Sequence, residues 1–428
     1  MTTELRVAVR NASDTGGTAF TPVFTAFHDG KFDVYNIGEK ASAGLEALAE
    51  DGNNDVIAAE VAAVDKDAQT LAVVGARGPI GTRELASTTV TVDGVSNGQL
   101  SVASMLLPSN DAFFGTGKAV ELFDARGNFK GEQTLTFAGS NVLDAGTEVN
   151  TEMDAAFINQ MGANTGITEN GVVSAHPGFN GSAGNPGGDQ IILGGTNAFM
   201  EFIDPVAADF TLPGAQIATV HVNTVATKTG TGRSEFLKGG KSDDFIDAGS
   251  GNDLIVSFGG WDVLNGEAGR DRIYAGSGDD VVDGGSGNDL LYGGSGFDDI
   301  VGGTGNDKIF GGSGNDNVQG GANNDWISGG SGNDVIAGDA GSDIIYGGSG
   351  DDIFVFGEGS DWDAVKDFDK RGDDRVMLSI DGVSSFDDVL KYAENARGRV
   401  ELDFGGGDKL LLWGVSVSDL SADDFLFA

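Results

Sequence analysis

Residues 284–292 read GGSGNDLLY and residues 329–337 read GGSGNDVIA, and this nine-residue pattern decides the fold of the second half of the chain. Thirteen consecutive units of this kind run from residue 239 to residue 355 without an insertion. The sixth position is Asp and the eighth is apolar in every unit, and Gly dominates the first, second and fourth positions. Self-similarity at a short fixed period is typical of a solenoid, in which each repeat packs against its neighbours.

The nonapeptide divides into a turn and a strand. Its first six positions, rich in Gly, predict a turn with positive φ angles and close backbone approaches, and its last three predict a very short strand. Two units then form one flattened coil. Stacking of the coils at the spacing of neighbouring strands places every position-eight side chain in one thin core.

The repeats carry more negative charge than so slender a core can tolerate. Residues 239–355 contain 20 Asp and one Glu against four basic residues. Like charges a few ångströms apart in a partly dehydrated turn cost on the order of a kcal/mol or more per pair. We therefore expect cations between the turns. A disordered glycine-rich linker is the alternative, and it would not keep an acidic and an apolar position in phase through thirteen units.

Calcium is the expected cation. It accepts six to eight hard oxygen ligands in flexible geometry, whereas magnesium demands stricter octahedral geometry. Zinc and copper prefer imidazole or thiolate ligands, and the chain has three His and no Cys. The predicted ligands are the position-six aspartates Asp244, Asp253, Asp262, Asp271, Asp280, Asp289, Asp298, Asp307, Asp316, Asp325, Asp334, Asp343 and Asp352.

The composition excludes several classes of protein. The chain has 428 residues with 66 acidic against 25 basic side chains, a formal net charge of −41. This charge disfavours binding to nucleic acid and to anionic bilayers, and the absence of Cys excludes disulfides and thiolate sites. No apolar run of membrane-spanning length is present, and the first residues, MTTELRVAVR, lack the pattern of a secretory signal peptide. Export would therefore use another route.

The chain divides into four predicted segments. Residues 1–224 alternate apolar and polar residues in short runs, which predicts an all-β domain. Within it, ASAGLEALAEDGN from Ala41 predicts a short helix ending near Gly52. Residues 225–238 are polar and Thr-rich and are interpreted as a linker. The roll follows over 239–355, and the apolar clusters within residues 356–428 predict a β-rich cap at its end.

The motif GGSGND followed by an apolar residue resembles the RTX, or repeats-in-toxin, nonapeptide. This resemblance implies a parallel β-roll in which each calcium ion lies between units n and n+2 on one edge of the roll, with weaker sites near Ser242, Ser257 and Asn323. The segment DWDAVKDFDKRGDDRVMLS from Asp361 resembles the closing cap of that family. The last residues, SADDFLFA, resemble an uncleaved signal for type I secretion. The resemblance therefore implies a secreted protein.

Several segments of residues 1–224 resemble the spondin N-terminal domain, a β-sandwich of extracellular matrix and adhesion proteins. The matching segments are LRVAVRNAS, FTPVFTAFHDG, GLEALAEDGN, LSVASMLLPSNDAFFG, LDAGTEVN and VVSAHPGF, in the expected order. In that family an acidic loop cluster is associated with a metal ion, and the matching residues here are Asp111, Asp144 and Glu148. Three carboxylates on two loops also suit calcium by ligand type. The alternative is that these aspartates only cap turns beside glycine.

Other polar and aromatic residues are predicted to be structural. No two of the three His lie at the i, i+4 spacing of a helical metal site, so we expect no shared site. His221 alternates with apolar neighbours and is predicted to face outward, and His28 and His176 are predicted to have structural roles. Phe20, Phe24 and Phe27 are expected to pack in the core and at its rim.

These observations favour a non-enzymatic protein. The sequence contains no HExxH, and its GxSxG match, GVSNG over residues 94–98, is not taken as a nucleophile elbow. GGKS at Gly239 has Glu235 where a phosphate-binding loop needs its first Gly. We therefore predict a secreted calcium-binding protein of the cell surface or extracellular matrix, acting in adhesion or as a component of a surface-layer lattice. Self-association and a cell-surface glycan or protein ligand are its expected partners. The alternative is a secreted RTX hydrolase with an unrecognised active site in residues 1–224.

Overall fold

The computed structural model describes residues 2–13, 19–75, 79–107, 112–138, 142–145, 173–175, 215–368 and 374–427. The chain divides into two compact units, Met1–Thr224 and Val225–Ala428, called here the N-terminal unit and the roll unit.

The N-terminal unit contains two antiparallel sheets and two helices. Its elements are β1 (Thr2–Asn11), β2 (Ala19–Phe20), β3 (Val23–His28), α1 (Ala43–Asp51), α2 (Asn54–Val64), β4 (Gln69–Val73), β5 (Leu85–Asp93), β6 (Gln99–Leu107), β7 (Ala112–Gly115), β8 (Val120–Glu121), β9 (Gln133–Ala138), β10 (Leu143–Asp144), β11 (Ser174–Ala175) and β12 (Gln216–Thr231). One sheet has the order β5-β1-β12-β9. The other has the order β11-β10-β7-β6-β3-β4, with β2 and β8 also paired to β6.

The two sheets pack face to face, as expected for the predicted β-sandwich. Alternation along β1 places Leu5, Val7 and Val9 in a core shared with the second sheet. Phe20 and Phe27 belong to this core, and Phe24 faces the helices on the opposite side of the second sheet. All three rings are buried, which confirms the prediction that they pack in the core.

The predicted helix is present, and a second helix follows it. In α1, the Ser42 side chain accepts from the Leu45 N–H at the beginning, and Gly52 ends the helix in the left-handed conformation. The second helix, α2, was not predicted, because Gly52 was interpreted only as the end of the first helix. Asn53 instead caps α2 by accepting from the Asp55 N–H.

The roll unit consists mainly of short parallel strands. Its elements are β13 (Phe236–Lys238), β14 (Asp243–Gly249), β15 (Leu254–Val256), β16 (Val263–Asn265), β17 (Arg272–Ser277), β18 (Val281–Asp283), β19 (Leu290–Ser295), β20 (Asp299–Thr304), β21 (Lys308–Ser313), β22 (Asn317–Ala322), β23 (Trp326–Ser331), β24 (Val335–Ala340), β25 (Ile344–Ser349), β26 (Ile353–Gly357), β27 (Trp362–Val365), β28 (Arg375–Ser379), α3 (Phe386–Val389), β29 (Ala393–Ala396), β30 (Arg399–Gly405), β31 (Asp408–Trp413) and β32 (Phe425–Phe427).

Successive repeats alternate between two parallel sheets. Even-numbered strands pair with one another from β14 to β28, and odd-numbered strands pair from β13 to β27. Each strand pairs with the strand two units further on, so that Ile255 lies beside Ile273 and Ile273 lies beside Leu291. The position-eight side chains are at most 2% exposed and form one continuous core. The fold of the repeat region is therefore the predicted parallel β-roll.

The interpretation of residues 225–238 as a linker is corrected by the structure. From Val225 to Thr231, β12 pairs in parallel with β14, and β13 pairs with β15. These residues therefore form the first coil of the roll, although they lack the nonapeptide pattern. Thr-rich segments have high strand propensity, and an exposed sheet end offers unpaired N–H and C=O groups for them to satisfy.

The C-terminal segment closes the other end of the roll. β31 pairs with β27 and β32 pairs with β28, so each sheet gains further strands. Leu410, Leu412 and Phe425 join the core of the repeats. This arrangement is the predicted β-rich cap. The role of the last residues as a type I secretion signal stays a prediction.

Candidate metal centre

The position-six aspartates form two columns, one along each turn-bearing edge of the roll. The first column contains Asp244, Asp262, Asp280, Asp298, Asp316, Asp334 and Asp352, and the second contains Asp253, Asp271, Asp289, Asp307, Asp325 and Asp343. All thirteen side chains are at most 4% exposed. Because every unit places its Asp directly before the three-residue strand, coil stacking aligns the carboxylates in two rows.

One oxygen of each carboxylate is held by the backbone. The N–H of Asp271 donates to Oδ1 of Asp289 over 2.7 Å, and the N–H of Asp289 donates to Oδ1 of Asp307 over 2.8 Å. The same bond recurs along both columns, always from the Asp two units earlier. This ladder fixes the orientation of each carboxylate and leaves Oδ2 for another partner.

The second oxygen has no hydrogen-bond partner in many units, although it is buried. This is true of Oδ2 in Asp253, Asp271, Asp280, Asp289, Asp307, Asp325 and Asp352. Buried polar atoms are normally hydrogen-bonded, and a repeated exception indicates a partner such as an ion. The orphaned oxygens therefore support a row of cations.

Main-chain oxygens lie beside these carboxylates. A Cβ built on Gly284 would lie 2.6 Å from the carbonyl oxygen of Gly302 and 3.0 Å from Oδ2 of Asp289. A Cβ on Gly302 would lie 2.4 Å from the carbonyl oxygen of Gly320 and 2.8 Å from Oδ2 of Asp307. The leading Gly of these units thus lets a carboxylate oxygen and a carbonyl oxygen border the same small space. Both are hard donors of the type that calcium prefers.

Burial makes the columns poor hosts for uncompensated negative charge. Desolvation, reinforced by the neighbouring column carboxylates, raises the pKa of Asp289 and of Asp325 to about 7. Burial also raises the pKa of Asp271 to about 6, with a contribution from Asp253. A divalent cation would reverse these effects, because it stabilises the ionised carboxylates.

The donor set fits calcium better than a transition metal. Among the described residues, no three His, Cys, Asp or Glu side chains gather into one group that could hold a metal. Each ion would therefore be bound by column carboxylates and completed by main-chain carbonyl oxygens. Calcium accepts such a mixed oxygen shell, whereas structural zinc sites require imidazole or thiolate ligands.

Two further aspartates extend the columns beyond the last nonapeptide. The N–H of Asp343 donates to Oδ1 of Asp363 over 3.1 Å, and the N–H of Asp352 donates to Oδ1 of Asp374 over 3.0 Å. Burial together with the charge of Asp343 raises the pKa of Asp363 to about 9. The search for a nine-residue period missed both residues because insertions break the spacing. The pattern Asp-x-Val, seen at Asp363 and again at Asp374, could have found them.

The predicted metal site of the N-terminal unit cannot be assembled from the described residues. Asp111 and Glu148 lie outside them, and Asp144 belongs to β10. The grouping of these three carboxylates stays a prediction.

The described histidines have structural surroundings. His28 is buried, its Nε2 lies 2.9 Å from Ser101 Oγ, and its Nδ1 accepts from the Gly30 N–H. Desolvation lowers the pKa of His28. The prediction that His221 faces solvent is wrong: the ring is fully buried, with Nδ1 3.2 Å from Thr134 Oγ1. Since β12 lies between β1 and β9, neighbouring side chains cover its outer face. His176 lies outside the described residues.

Comparison with known families identifies both parts of the chain. Residues 13–163 match Spondin_N, and the RTX calcium-binding nonapeptide repeat matches four times, over residues 229–257, 256–291, 292–327 and 328–363. The chain therefore carries an N-terminal spondin domain and calcium-binding RTX repeats. A comparison with curated proteins found no match.

One similar solved structure is the extracellular lipase LipA from Serratia marcescens, with 17% sequence identity and a TM-score of 0.21. The match covers 47% of this chain and 40% of the lipase. A similarity of this size decides nothing about activity. Within the described part of the chain, no helix has the length and apolar character needed to span a membrane.

Proposed function

We propose that this chain is an extracellular, non-enzymatic protein that acts in adhesion or as a component of a surface-layer or matrix lattice. Its roll would fold and stiffen on meeting calcium outside the cell. The observation that carries the proposal is the pair of buried aspartate columns with orphaned Oδ2 atoms. RTX repeats bind calcium, and proteins that contain them are typically secreted.

The column aspartates are proposed as the calcium ligands, and Asp363 and Asp374 extend the same set. Their charge density explains why the roll would depend on the ion. Several kcal/mol of repulsion and desolvation accumulate along each column when no cation is present. Extracellular calcium modules bind their ions with dissociation constants of about 10⁻⁴–10⁻³ M. Such a roll would therefore stay unfolded until the protein leaves the cell.

The N-terminal unit is proposed to make the adhesive or lattice contacts. Its match to Spondin_N supports this role. The spondin N-terminal domain, which this unit resembles, is a module of extracellular matrix and adhesion proteins. Asp111, Asp144 and Glu148 are proposed to hold a metal ion there. Calcium would also bridge acidic surfaces of neighbouring copies, because a formal net charge of −41 otherwise keeps them apart.

Electron microscopy of the purified full chain tests this function. We expect ordered lattices or regular oligomers in millimolar calcium, and dispersed particles after chelation or in magnesium at the same concentration. Identical monomers under all three conditions would contradict the proposed lattice role. Adhesion would then have to be shown by calcium-dependent binding to cells. Turnover of ester, peptide or glycoside substrates that a single carboxylate substitution abolishes would replace the proposal with the hydrolase.

A further inference from the structure

A groove of about 460 Å³ runs along the edge of the roll that carries the second column. Its lining comes from positions five, six and seven of every second unit, from Arg270 to Ile344. It crosses five coils, and because neighbouring strands lie about 4.8 Å apart, its length is about 20 Å. An elongated groove of this length fits a linear polymer better than a compact small molecule.

Positive charge is concentrated in this groove. Three of the four basic residues within 239–355 line it, namely Arg270, Arg272 and Lys308, and all three are exposed. In the part of the chain that the structure describes, no ion pair joins any of them to an acidic side chain. Three unpaired cations in one groove of so acidic a chain indicate an anionic ligand.

A row of amide donors runs beside these cations. Oδ1 of Asn288 accepts from the Asn306 N–H over 2.9 Å, and Oδ1 of Asn306 accepts from the Asn324 N–H over 2.9 Å. Because Oδ1 is occupied, each exposed amide presents its NH₂ group to the groove. At the equivalent position the other edge has Asp243, Asp279 and Asp351, aromatic residues at Trp261 and Phe297, and asparagines at Asn315 and Asn333. That edge has no basic residue at positions five to seven of its units, so only the second edge combines amide donors with cations there.

The groove also has an apolar side. Leu290, Trp326 and Ile344 occupy position seven, and Lys308 Nζ lies 4.8 Å from the centre of the Trp326 ring. This cation–π contact holds the ammonium group beside the aromatic surface. Convergent polar groups next to an apolar wall are typical of ligand sites. The wall can receive the C–H face of a sugar ring.

Calcium would determine the sign of the charge in the groove. Asp271, Asp289, Asp307 and Asp325 lie beneath it and are at most 4% exposed. Cations bound in this column would compensate the four carboxylates and leave the exposed basic side chains dominant. Without calcium, the buried carboxylates would repel an anion. The groove is therefore expected to bind an anion only when the roll is loaded.

We propose that the groove binds a linear acidic polysaccharide, with carboxylates of the polymer at Arg270, Arg272 and Lys308 and its hydroxyl groups along the asparagine row. The inference rests on the proposed function in one respect, since it requires a calcium-loaded roll. A duplex nucleic acid fits less well, because it carries a charge every ~1.7 Å and would meet many carboxylates of this chain for only three cations.

Fluorescence anisotropy with the calcium-loaded full chain tests the proposal. The probe is a labelled hyaluronan decasaccharide, which carries a carboxylate on every second sugar, and neutral maltodecaose and a short DNA duplex are the comparison probes. We expect R272Q/K308Q to weaken hyaluronan binding by about tenfold or more, because two charge-assisted contacts are lost. The matched control is K241Q, which removes the fourth basic residue of 239–355, outside the groove, and should change the affinity by less than about twofold.

Absence of hyaluronan binding would contradict the proposed ligand. Unchanged affinity in R272Q/K308Q, or an equal loss in K241Q, would contradict the groove as the binding site. Maltodecaose binding as strong as that of hyaluronan, or tighter binding of the DNA duplex, would contradict the proposed specificity. Circular dichroism during calcium titration is recorded for each variant. Normal calcium-induced folding without hyaluronan binding would contradict only the proposal that the groove binds an acidic polysaccharide. Absence of any calcium response in the parent chain would contradict the proposed function itself.

Discussion

The column aspartates with an orphaned Oδ2 use their two oxygens differently. In Asp289, for example, Oδ1 accepts a backbone N–H from the neighbouring coil in the second column, whereas Oδ2 is buried without a hydrogen-bond partner. An Asn at the same position would keep the acceptor and remove the charge. This difference allows the structural and the ionic role of one side chain to be measured separately.

The adjacent residues Asp352 and Asp351 form a matched pair for this test. Asp352 is 1% exposed and belongs to the first column, whereas Asp351 is exposed. D352N should lower the melting temperature in calcium by about 5–10 °C, because a ligand of at least one ion is lost. In chelator, where the roll is expected to be unfolded, neither variant should show a transition of the roll. Calorimetry of both variants in both buffers checks this, and equal effects of D352N and D351N would contradict it.

The raised pKa values predict opposite pH dependences with and without calcium. In the metal-free roll, burial raises the pKa of Asp262, Asp289 and Asp325 to about 7, whereas an unfolded Asp titrates near 3.9. The folded state then binds more protons, so its stability falls as the pH rises from about 4 to about 7. With calcium bound, protons compete with the ion, and stability should fall as the pH falls.

Circular dichroism between about pH 5 and pH 8 measures this dependence, once in chelator and once in saturating calcium. High salt serves as the control, because it screens exposed charges and leaves buried ones nearly unchanged. The same direction of change in both buffers would show that the columns do not bind the ion.

At the scale of the element, the turn requires glycine more strictly than the strand requires its apolar residue. Gly287 has φ +145°, and a Cβ there would lie 1.4 Å from the carbonyl oxygen of Gly269 in the neighbouring coil. Other glycines of the roll unit are required only by their positive φ angle, with no close approach of a neighbouring coil. Gly382 has φ +82° with nothing within 4 Å of a built Cβ.

Alanine substitution at these two glycines distinguishes two effects: the steric overlap between neighbouring coils and the strain of a positive φ angle. G382A should cost about 1 kcal/mol, the usual cost of a left-handed conformation for a residue with a Cβ. G287A should cost several times more, because the coils must move apart to remove the overlap. The calcium concentration at the midpoint of folding measures both. A similar midpoint for the two variants would mean that the coils are not stacked this closely.

The whole molecule consists of two units stabilised by different means. The N-terminal unit has two cores, one between its sheets and one beneath its helices. The roll has a single thin core together with two columns of buried carboxylates. We expect hydrophobic burial to dominate the stability of the former, whereas the stability of the latter should also require ions.

Chelation should therefore unfold one unit selectively. In calcium we expect the roll unit to resist proteolysis and to melt cooperatively. In excess chelator, its transition should disappear while the transition of the N-terminal unit stays within a few degrees. Calorimetry with limited proteolysis and mass spectrometry distinguishes the units. A simultaneous loss of both transitions, or an unchanged roll transition, would be the contrary result.

The sequence was sufficient wherever a regular pattern constrained the chain. Thirteen units in phase predicted the roll, its position-eight core and the thirteen buried aspartates, because a stacked repeat converts a sequence period directly into a spatial row. Alternation and a Gly52 stop signal were also enough to predict an all-β domain and α1, whereas the sandwich followed from the resemblance to the spondin N-terminal domain. The identity of the cation followed from the ligand types.

Where the pattern was interrupted, only three-dimensional packing decided the outcome. Residues 225–231 became a roll strand because the first sheet offered unpaired backbone groups, and Asp363 and Asp374 joined the columns although insertions separate them from the repeats. His221 is buried because neighbouring strands cover it. The basic groove likewise depends on coil stacking, which places Arg272 and Lys308 in one groove although they are 36 positions apart in the sequence. Contacts between distant residues depend on the whole fold, and no local propensity encodes them.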